Sequence, residues 1–351
     1  MITIKALRPG DIDFLQRANA LYSVDFRAIG ESFDMEIIDM WKYENLMPWV
    51  VSDKHASSNE LSKLLKYDNA NVLIEVPMAE KATKSVFERL SSKQLPAGIN
   101  ELWTAIPHPE ADRLCAEKNL KINYSYADFL KFNDKIRQKE LFGDQTPKWN
   151  KVSEADLDGG YLERDVYFKR QFGSGGYTLH RSAEFSDVEG MKGKLFEDGT
   201  SLWFAEDTVK GTPSSIQVAK SASLGTVIFG YSQQKIIDNK HFAGSDMMGV
   251  GLLTPEMITQ LESALEKLNG LLADYEGFFG IDFMLDGSKI HILEANVRLT
   301  AATIPTLIMN ERGRDRAEYF EDYAIGDVTE NDVVIGMHPD KDKGDIVRLL
   351  S

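Results

Sequence analysis

The sequence is poor in cysteine and has no long hydrophobic run. Cys115 is the only cysteine in 351 residues, so no disulfide can form within the chain. It lies inside a helical pattern at 110–118, where a buried small hydrophobic residue is more common than a nucleophile. No stretch approaches the ~18 apolar residues of a membrane helix, and the N-terminus lacks the apolar core of a signal peptide. We therefore expect a cytoplasmic protein with no membrane partner.

Basic residues are scarce relative to acidic ones. The chain has 40 Lys and Arg against 55 Asp and Glu, which gives a net charge of -15. This balance repels a phosphate backbone and argues against nucleic acid as a partner. A polyphosphate ligand would therefore have to be met by local cations or by Mg²⁺. At roughly 100 to 200 residues per domain, the length predicts two or three domains.

The first part of the chain, 1–132, lacks a nucleotide fingerprint. No G-x-G-x-x-G follows a strand there, so its α/β pattern does not indicate a dinucleotide. Short apolar runs alternate with helical periodicity and predict a Rossmann-like α/β domain, although the aromatic and acidic segment 25–43 cannot be assigned. The predicted strands are 2–4, 49–52, 72–76 and 102–106, and the predicted helices are 58–65, 79–90 and 110–118.

Two separate segments carry residue types that bind phosphate. The first, Asn133-Asp134-Lys135, opens a helix that is predicted to run to about Phe142. In the second, a predicted strand contains Lys169 and leads into a glycine-rich loop that does not fit the P-loop spacing. Glycines let backbone amides turn toward a phosphate, and lysine supplies a mobile charge, although such a loop is more often only a turn. The loop residues are Gly173, Ser174, Gly175 and Gly176.

The second half of the chain predicts an antiparallel sheet and one long helix. Strands are predicted at 202–206, 214–220 and 226–232, and their connections are too short for crossover helices. Thr254 is a good helix cap and Pro255 is tolerated at the first helical position. The apolar stripe that follows predicts a helix that packs on the sheet.

The most informative segment is 280–303, which predicts two strands joined by a tight turn. Two carboxylates and an amide oxygen near an arginine are the groups that Mg²⁺ and a polyphosphate require. An edge hairpin with a solvated acidic face is the alternative, and on charge pattern alone it is the more frequent one. On the second strand, alternation places five residues on one face: Ile290, Ile292, Glu294, Asn296 and Arg298.

The register of this hairpin decides whether Asp282 joins Glu294. The two carboxylates share a face only if the paired residue numbers have an even sum, as when Leu285 opposes Lys289. A two-residue Asp-Gly turn, which the dipeptide favours, would pair Leu285 with Ser288 and send Asp282 to the other face. We therefore predict a three-residue turn or a bulge.

Taken in order, these motifs resemble the ATP-grasp superfamily of carboxylate-amine ligases over about residues 133–303. The resemblance implies an α/β and α+β architecture, with an ATP-grasp fold of two α+β subdomains at 133–205 and 206–351. The Rossmann-like α/β region at 1–132 is similar to the pre-ATP-grasp domain that precedes this fold.

The resemblance also implies roles for the motif residues. Lys135 and Lys169 would bind the phosphates of ATP, and the loop at 173–176 would close over them. Glu206 would meet the adenine amino group. The backbone lining the base would come from Asp207, Thr208 and Val209.

The same resemblance implies a metal and substrate site. Two Mg²⁺ ions, for which Mn²⁺ can substitute, would be held by Asp282, Glu294 and Asn296. Arg298 would face the reacting acyl phosphate and, with Lys169, would be catalytic. Many members carry a ribose-binding Glu at or near the position that Pro213 occupies here. Substrate candidates are Arg298, Thr300 and Thr303, with Lys220 and Gln233 as weaker ones that read equally well as exposed strand residues.

The implied reaction joins a small-molecule carboxylate to an amine, or less often a thiol, with release of ADP and phosphate. It needs no covalent enzyme nucleophile, because catalysis rests on positioning and on neutralising phosphoryl charge. The alternatives are a phosphotransferase of the same fold, a non-catalytic nucleotide-binding protein and an acidic partner-binding scaffold. The sequence leaves both substrates and the oligomeric state open, a homodimer included.

Overall fold

Three sheets organise the part of the chain that the computed structural model describes. The described residues are 2–16, 20–23, 49–51, 71–72, 98, 100–104, 107–173, 179–197, 199, 201–237, 241–324, 327, 329, 331–337 and 343–350. The predicted helices at 58–65 and 79–90, the segment 25–43 and loop residues 174–176 lie outside them. None of the described helices is long and apolar enough to span a membrane.

A parallel sheet of five strands forms in the N-terminal region, in the order β4-β3-β2-β5-β6. Parallel pairing is the feature expected of an α/β pattern. The helix α1, Pro109–Lys118, lies between its last two strands in the chain, and His108 caps it by accepting from the Glu110 N–H. The strands are β2 (Ala20–Ser23), β3 (Trp49–Val51), β4 (Asn71–Val72), β5 (Glu101–Thr104) and β6 (Lys121–Ile122).

The first predicted strand forms, but it pairs elsewhere. β1 (Ile2–Ile4) runs parallel to residues 226–228, in the large C-terminal sheet. Residues 226–228 have a free edge on this side, because the neighbouring strand at 241–248 pairs with this strand only from Tyr231 onward. The residues that follow β1 also enter the C-terminal core, where Leu7 and Phe14 are fully buried.

A second, antiparallel sheet has the order β7-β10-β8-β9. Its core is formed by buried side chains of the sheet with helices α4 (Gly159–Leu162) and α5 (Val188–Leu195). The strands predicted around Lys169 and Glu206 are both present and adjacent, with Phe204 opposite Lys169. The strands are β7 (Trp149–Val152), β8 (Val166–Arg170), β9 (Leu179–Arg181) and β10 (Trp203–Asp207).

The third sheet has nine strands, with β1 beside an eight-strand path in the order β15-β14-β11-β12-β13-β16-β18-β17. One face packs on α6 (Pro255–Leu271), which Thr254 caps as predicted, and the other on α7 (Thr303–Glu311). The strands are β11 (Thr212–Ser221), β12 (Gly225–Ile237), β13 (His241–Met248), β14 (Gly277–Asp286), β15 (Lys289–Asn296), β16 (Arg316–Ala324), β17 (Asp332–Met337) and β18 (Lys343–Leu349).

The hairpin of β14 and β15 has a bulge, one of the two predicted solutions. The turn is a two-residue Gly287-Ser288 turn, so Leu285 pairs with Ile290 and the pairing of Leu285 with Lys289 is wrong. The register then shifts between Asp282 and Phe283, because Leu293 is an extra residue on β15. Asp282 consequently pairs with Glu294, as required for a shared face.

The bulge also corrects the predicted face of β15. Ile290 and Ile292 are buried in the core on the α6 side, together with Ala295 and Val297. Because Leu293 resets the alternation, Glu294 and Asn296 point to the opposite face. The two isoleucines therefore do not share the face of Glu294, as plain alternation predicted.

Candidate functional site

Polar side chains from two consecutive helices form hydrogen bonds along the outer edge of β15. The helices are α2 (Tyr126–Asn133) and α3 (Lys135–Phe142), and Asp134 caps α3 by accepting from the Arg137 N–H. Asn133 Oδ1 accepts from the Val297 N–H at 2.9 Å. An edge strand presents backbone groups that need partners, and these helices supply them.

Gln138 gives the most complete of these edge contacts. Its side-chain oxygen accepts from the Ala295 N–H at 2.8 Å, and its amide nitrogen donates to the Ala295 carbonyl at 2.7 Å. The same nitrogen also donates to the Phe132 carbonyl at 2.8 Å. Gln138 thus takes the place of a neighbouring strand beside the residue that separates Glu294 from Asn296.

The acidic residues of the hairpin form one connected cluster. Lys135 Nζ makes an ion pair with Glu294. The amide nitrogen of Asn296 donates to Asp282 at 2.9 Å and to Glu294 at 3.2 Å, and Arg298 donates to the Asn296 side-chain oxygen at 3.3 Å. The structure therefore brings together five of the predicted site residues.

The two carboxylates differ in their electrostatics. Burial, followed by the negative charge of Glu294, raises the pKa of Asp282 to about 6. Burial also acts to raise the pKa of Glu294, but the charge and hydrogen bond of Lys135, the charge of Lys169 and the hydrogen bond from Asn296 together outweigh it, and the pKa falls to about 2. Glu294 is thus the permanently charged member of the pair at neutral pH.

This cluster fits a divalent cation. Among the described residues no group of three or more His, Cys, Asp and Glu side chains forms a metal site, so a metal would rest on the two carboxylates and Asn296. The amide nitrogen of Asn296 now bridges these carboxylates, and Lys135 is paired with Glu294. A half-turn of the Asn296 amide would present its oxygen instead, and Mg²⁺ prefers such oxygen ligands.

Glu206 lies in a second, more deeply buried cluster. Lys169 Nζ donates to one of its carboxylate oxygens at 2.8 Å, and Lys139 Nζ pairs with the other. Burial acts to raise the pKa of Glu206, but the two lysines lower it overall. Glu206 is therefore held as an anion by cations from β8 and α3.

The hinge after Glu206 is tied into its surroundings. The Asp207 N–H donates to the Lys148 carbonyl at 2.8 Å, and the Thr208 N–H donates to the Asp165 carbonyl at 3.0 Å. Of the three residues whose backbone is predicted to line the base, two thus have their N–H groups bound within the fold, and the third is Val209.

The start of the glycine loop is linked to the cap of α3. Gln171, just after β8, donates from its side chain to Asp134 at 2.8 Å, and its carbonyl accepts from the Lys135 N–H at 3.2 Å. Gly173 has a φ of 155°, a conformation that favours glycine. The two segments predicted to bind phosphate, far apart in sequence, therefore lie next to each other.

The predicted substrate residues separate into two groups. Thr300 lies over the sheet beside the cluster and donates to the Gln217 side-chain oxygen at 2.7 Å, whereas Thr303 is fully buried. Lys220 lies away from the cluster, because it donates to the carbonyls of Ala273 and Tyr275 after α6.

Three site residues were missed by the sequence reasoning. Lys139 lies four residues after Lys135 and so on the same helical face, a spacing that could have revealed it. Gln234 donates to Asp282 at 3.1 Å, whereas its predicted neighbour Gln233 contacts Tyr231. No sequence signal distinguishes Gln138 or Gln234 from other polar residues.

Solved structures share this fold over nearly the whole chain. An N5-carboxyaminoimidazole synthase from Aspergillus clavatus, in complex with ADP and 5-aminoimidazole ribonucleotide, has a TM-score of 0.62 at 12% identity, covering 95% of this chain and 94% of that chain. The biotin carboxylase domain of the Hydrogenobacter thermophilus 2-oxoglutarate carboxylase, in complex with MgADP, ADP and bicarbonate, has a TM-score of 0.65 at 14% identity, covering 95% and 86%. A Campylobacter jejuni biotin carboxylase complex reaches 0.64 at 12% identity, covering 95% and 87%. At 12% to 14% identity, what the chain shares with these structures is the fold.

A sequence comparison identifies the domain. Residues 128–302 match the family model of the ATP-grasp domain, and this stretch contains all of the predicted nucleotide-binding and metal-binding residues. Residues 128–302 are thus an ATP-grasp domain, and the predicted ATP-grasp fold is confirmed. No curated protein sequence matched the chain.

Proposed function

We propose that the protein is an ATP-dependent carboxylate-amine ligase that forms an amide through an acyl phosphate. The contact between Lys135 and Glu294 carries the proposal. It joins the helix that bears a phosphate-binding lysine to the strand that bears the metal carboxylate. Two of the neighbours named above support nucleotide binding, because their complexes contain ADP.

In this proposal, ATP replaces contacts that the site now makes internally. Lys135 and Lys169 release Glu294 and Glu206 and bind the phosphates instead. Asp282, Glu294 and Asn296 hold two Mg²⁺ ions, which neutralise phosphoryl charge when bound. The internal ion pairs keep these side chains ionised and oriented before the nucleotide arrives.

In this proposal, the adenine base binds at the buried hinge formed by Glu206 and the residues that follow it. Glu206 accepts from the adenine amino group through the carboxylate oxygen that Lys169 releases. Since the N–H groups of Asp207 and Thr208 are used within the fold, the Val209 N–H is the proposed donor to the base.

Arg298 is the proposed catalytic cation on the substrate side. It is partly buried and hydrogen-bonded to Asn296, so it faces the space beside the metal carboxylates. There it would stabilise charge that develops as the acid attacks the transferred phosphoryl group. Thr300 is the proposed contact for the substrate carboxylate, at the open side of the same cluster.

A product assay with paired substrates tests this function. ADP release is measured with Mg²⁺ over acids, bicarbonate included, each with and without amines. A ligase releases ADP and phosphate only when both substrates are present, and ¹⁸O from a labelled acid appears in the phosphate. A phosphotransferase gives ADP without free phosphate. Full turnover by Glu294→Ala, or ADP release without ¹⁸O transfer, would overturn the proposal.

A further inference from the structure

Lys139 is a buried lysine that the proposed function does not use. Its side chain is 1% exposed, and its ammonium is paired with Glu206. It also donates to the Ile292 carbonyl at 3.2 Å, immediately before the bulge of β15. A lysine is rarely buried so completely without a specific partner, so the carboxylate of Glu206 must account for its position.

The two lysines on Glu206 differ in their freedom to leave. Lys169 is 16% exposed, lies on β8 near the glycine loop and, in the proposed function, moves to the phosphates of ATP. Lys139 is enclosed between α3, β10 and β15, and it would have to break its bond to Ile292 in order to leave Glu206. When the nucleotide binds, Lys139 is thus the cation that remains with Glu206.

The charge on Glu206 decides which base it can accept. A buried carboxylate that lost both lysines would take up a proton, because an unpaired charge is strongly disfavoured there. A protonated Glu206 would donate a hydrogen bond to the base, whereas an ionised one can only accept. Adenine presents an amino donor at C6, and 6-oxo purines present an acceptor.

We propose that Lys139 is a specificity-determining residue, which keeps Glu206 ionised while ATP is bound and so selects a 6-amino purine over a 6-oxo purine. This inference rests on the proposed binding of ATP with its base at Glu206. The burial of Lys139 supports it, since burial lowers the pKa of Lys139 to about 8 although Glu206 acts in the opposite direction. The lysine is kept in an unfavourable place by its contact with this carboxylate.

Equilibrium binding of ATP and of inosine triphosphate, both with Mg²⁺, tests the inference on the full chain. The wild type is expected to prefer ATP about tenfold to 100-fold, the range that a hydrogen bond to a charged group contributes. Lys139→Met is expected to reduce this preference about tenfold or more. Gln138→Leu is the matched control, because Gln138 is equally buried on the same helix and contacts β15 but not Glu206.

The ratio of the two affinities separates specificity from general damage. A purely structural role for Lys139 would weaken both nucleotides equally, as expected for Gln138→Leu, and an unchanged ratio in Lys139→Met would overturn the inference. If Lys139→Met does not fold, Lys139→Gln keeps a donor to Ile292 without the charge, and the same ratio decides. A wild type that binds ATP without preference contradicts the inference alone, whereas one that binds neither nucleotide contradicts the proposed function.

A structure of the wild type with ATP and Mg²⁺ gives a second readout that needs no variant. Lys139 is expected to stay paired with Glu206 while Lys169 contacts the phosphates and the adenine amino group contacts Glu206. Lys139 on the phosphates, or Glu206 without a contact to the base, would overturn the inference.

Discussion

Two lysine-carboxylate pairs formed by α3, Lys135 with Glu294 and Lys139 with Glu206, differ in how closed they are. The side chains of Lys139 and Glu206 are 1% and 3% exposed, whereas those of Lys135 and Glu294 are 12% and 23% exposed. In the closed pair, neither side chain can give up the other without being left as a buried, unpaired charge. The open pair can exchange an ammonium for a metal ion. In the proposed function, the closed pair therefore stays in place beside the adenine base, whereas the open pair separates when the phosphates bind.

The largest effect is expected from opening the closed pair. Glu206→Met removes the carboxylate and leaves Lys139 buried without its charged partner, which should lower the free energy of unfolding by about 3–5 kcal/mol. Denaturant unfolding measures this change. Glu140→Met is the control, since its pair with Lys151 is more than half exposed and should contribute less than about 1 kcal/mol. Equal losses in the two variants would contradict a difference between closed and open pairs.

The open pair should affect catalysis more than stability. Glu294→Gln keeps the shape of the side chain but removes a metal-binding charge, and we expect turnover to fall about 100-fold or more. The free energy of unfolding should fall less than in Glu206→Met, because Lys135 keeps partial access to solvent whereas Lys139 does not. ADP release with the substrates found in the paired screen measures the effect, along with the Mg²⁺ dependence of nucleotide binding.

A variant elsewhere in the large sheet provides the control for this loss. Glu318 also makes a lysine pair, with Lys235, and is 30% exposed. Glu318→Gln should leave turnover unchanged. A comparable loss of turnover in Glu318→Gln would show that the effect of Glu294→Gln is not specific to the cluster.

The sequence predicted the cluster around the open pair better than the closed pair, in which Lys139 was missed. Asp282, Glu294, Asn296 and Arg298 stand in a short stretch whose alternation can be read directly. Even there the bulge at Leu293 could be predicted only as one of two solutions, because no local residue type encodes it.

The contacts that position the open pair come from distant segments. Gln138 and Ala295 are separated by 157 positions, and neither has an unusual neighbourhood in the sequence. The pairing of Lys139 with Glu206 likewise depends on how α3 packs against β10. Such contacts form only when distant segments pack against each other. The sequence of one segment does not indicate which other segment it will contact.

Through its hydrogen bonds to Ala295, Gln138 should hold β15 in place beside the two lysine-carboxylate pairs. Gln138→Leu leaves the N–H and carbonyl of Ala295 without their side-chain partner, which should cost about 1–3 kcal/mol of the free energy of unfolding. Faster hydrogen exchange at the Ala295 amide would locate the effect at β15. Arg137→Leu, at the exposed neighbour on α3, should change neither quantity appreciably. If hydrogen exchange at the Ala295 amide were unchanged in Gln138→Leu, Gln138 would not take the place of a neighbouring strand at this edge.

The smallest expected effect concerns pH and Asp282. Its pKa is raised from 3.8 to about 6, first by burial and then by Glu294, so the folded protein holds a proton there at pH values where an ordinary aspartate is ionised. Mg²⁺ needs the ionised form, and its affinity should therefore fall as the pH drops through about 6. Between pH 6 and pH 5 the ionised fraction falls about fivefold. Glu294, with a pKa of about 2, stays ionised across this window.

Calorimetric titration of the nucleotide-free protein with Mg²⁺ at several pH values measures this dependence. Asp282→Asn should bind Mg²⁺ more weakly and with a flatter profile, because the group that titrates near pH 6 is gone. A wild-type affinity that stays constant from pH 5 to pH 7 would mean that Asp282 does not contribute to the metal site. The open pair would then exchange its lysine for a metal held by Glu294 and Asn296 alone, a donor set with a single carboxylate that is weaker for Mg²⁺ than two carboxylates.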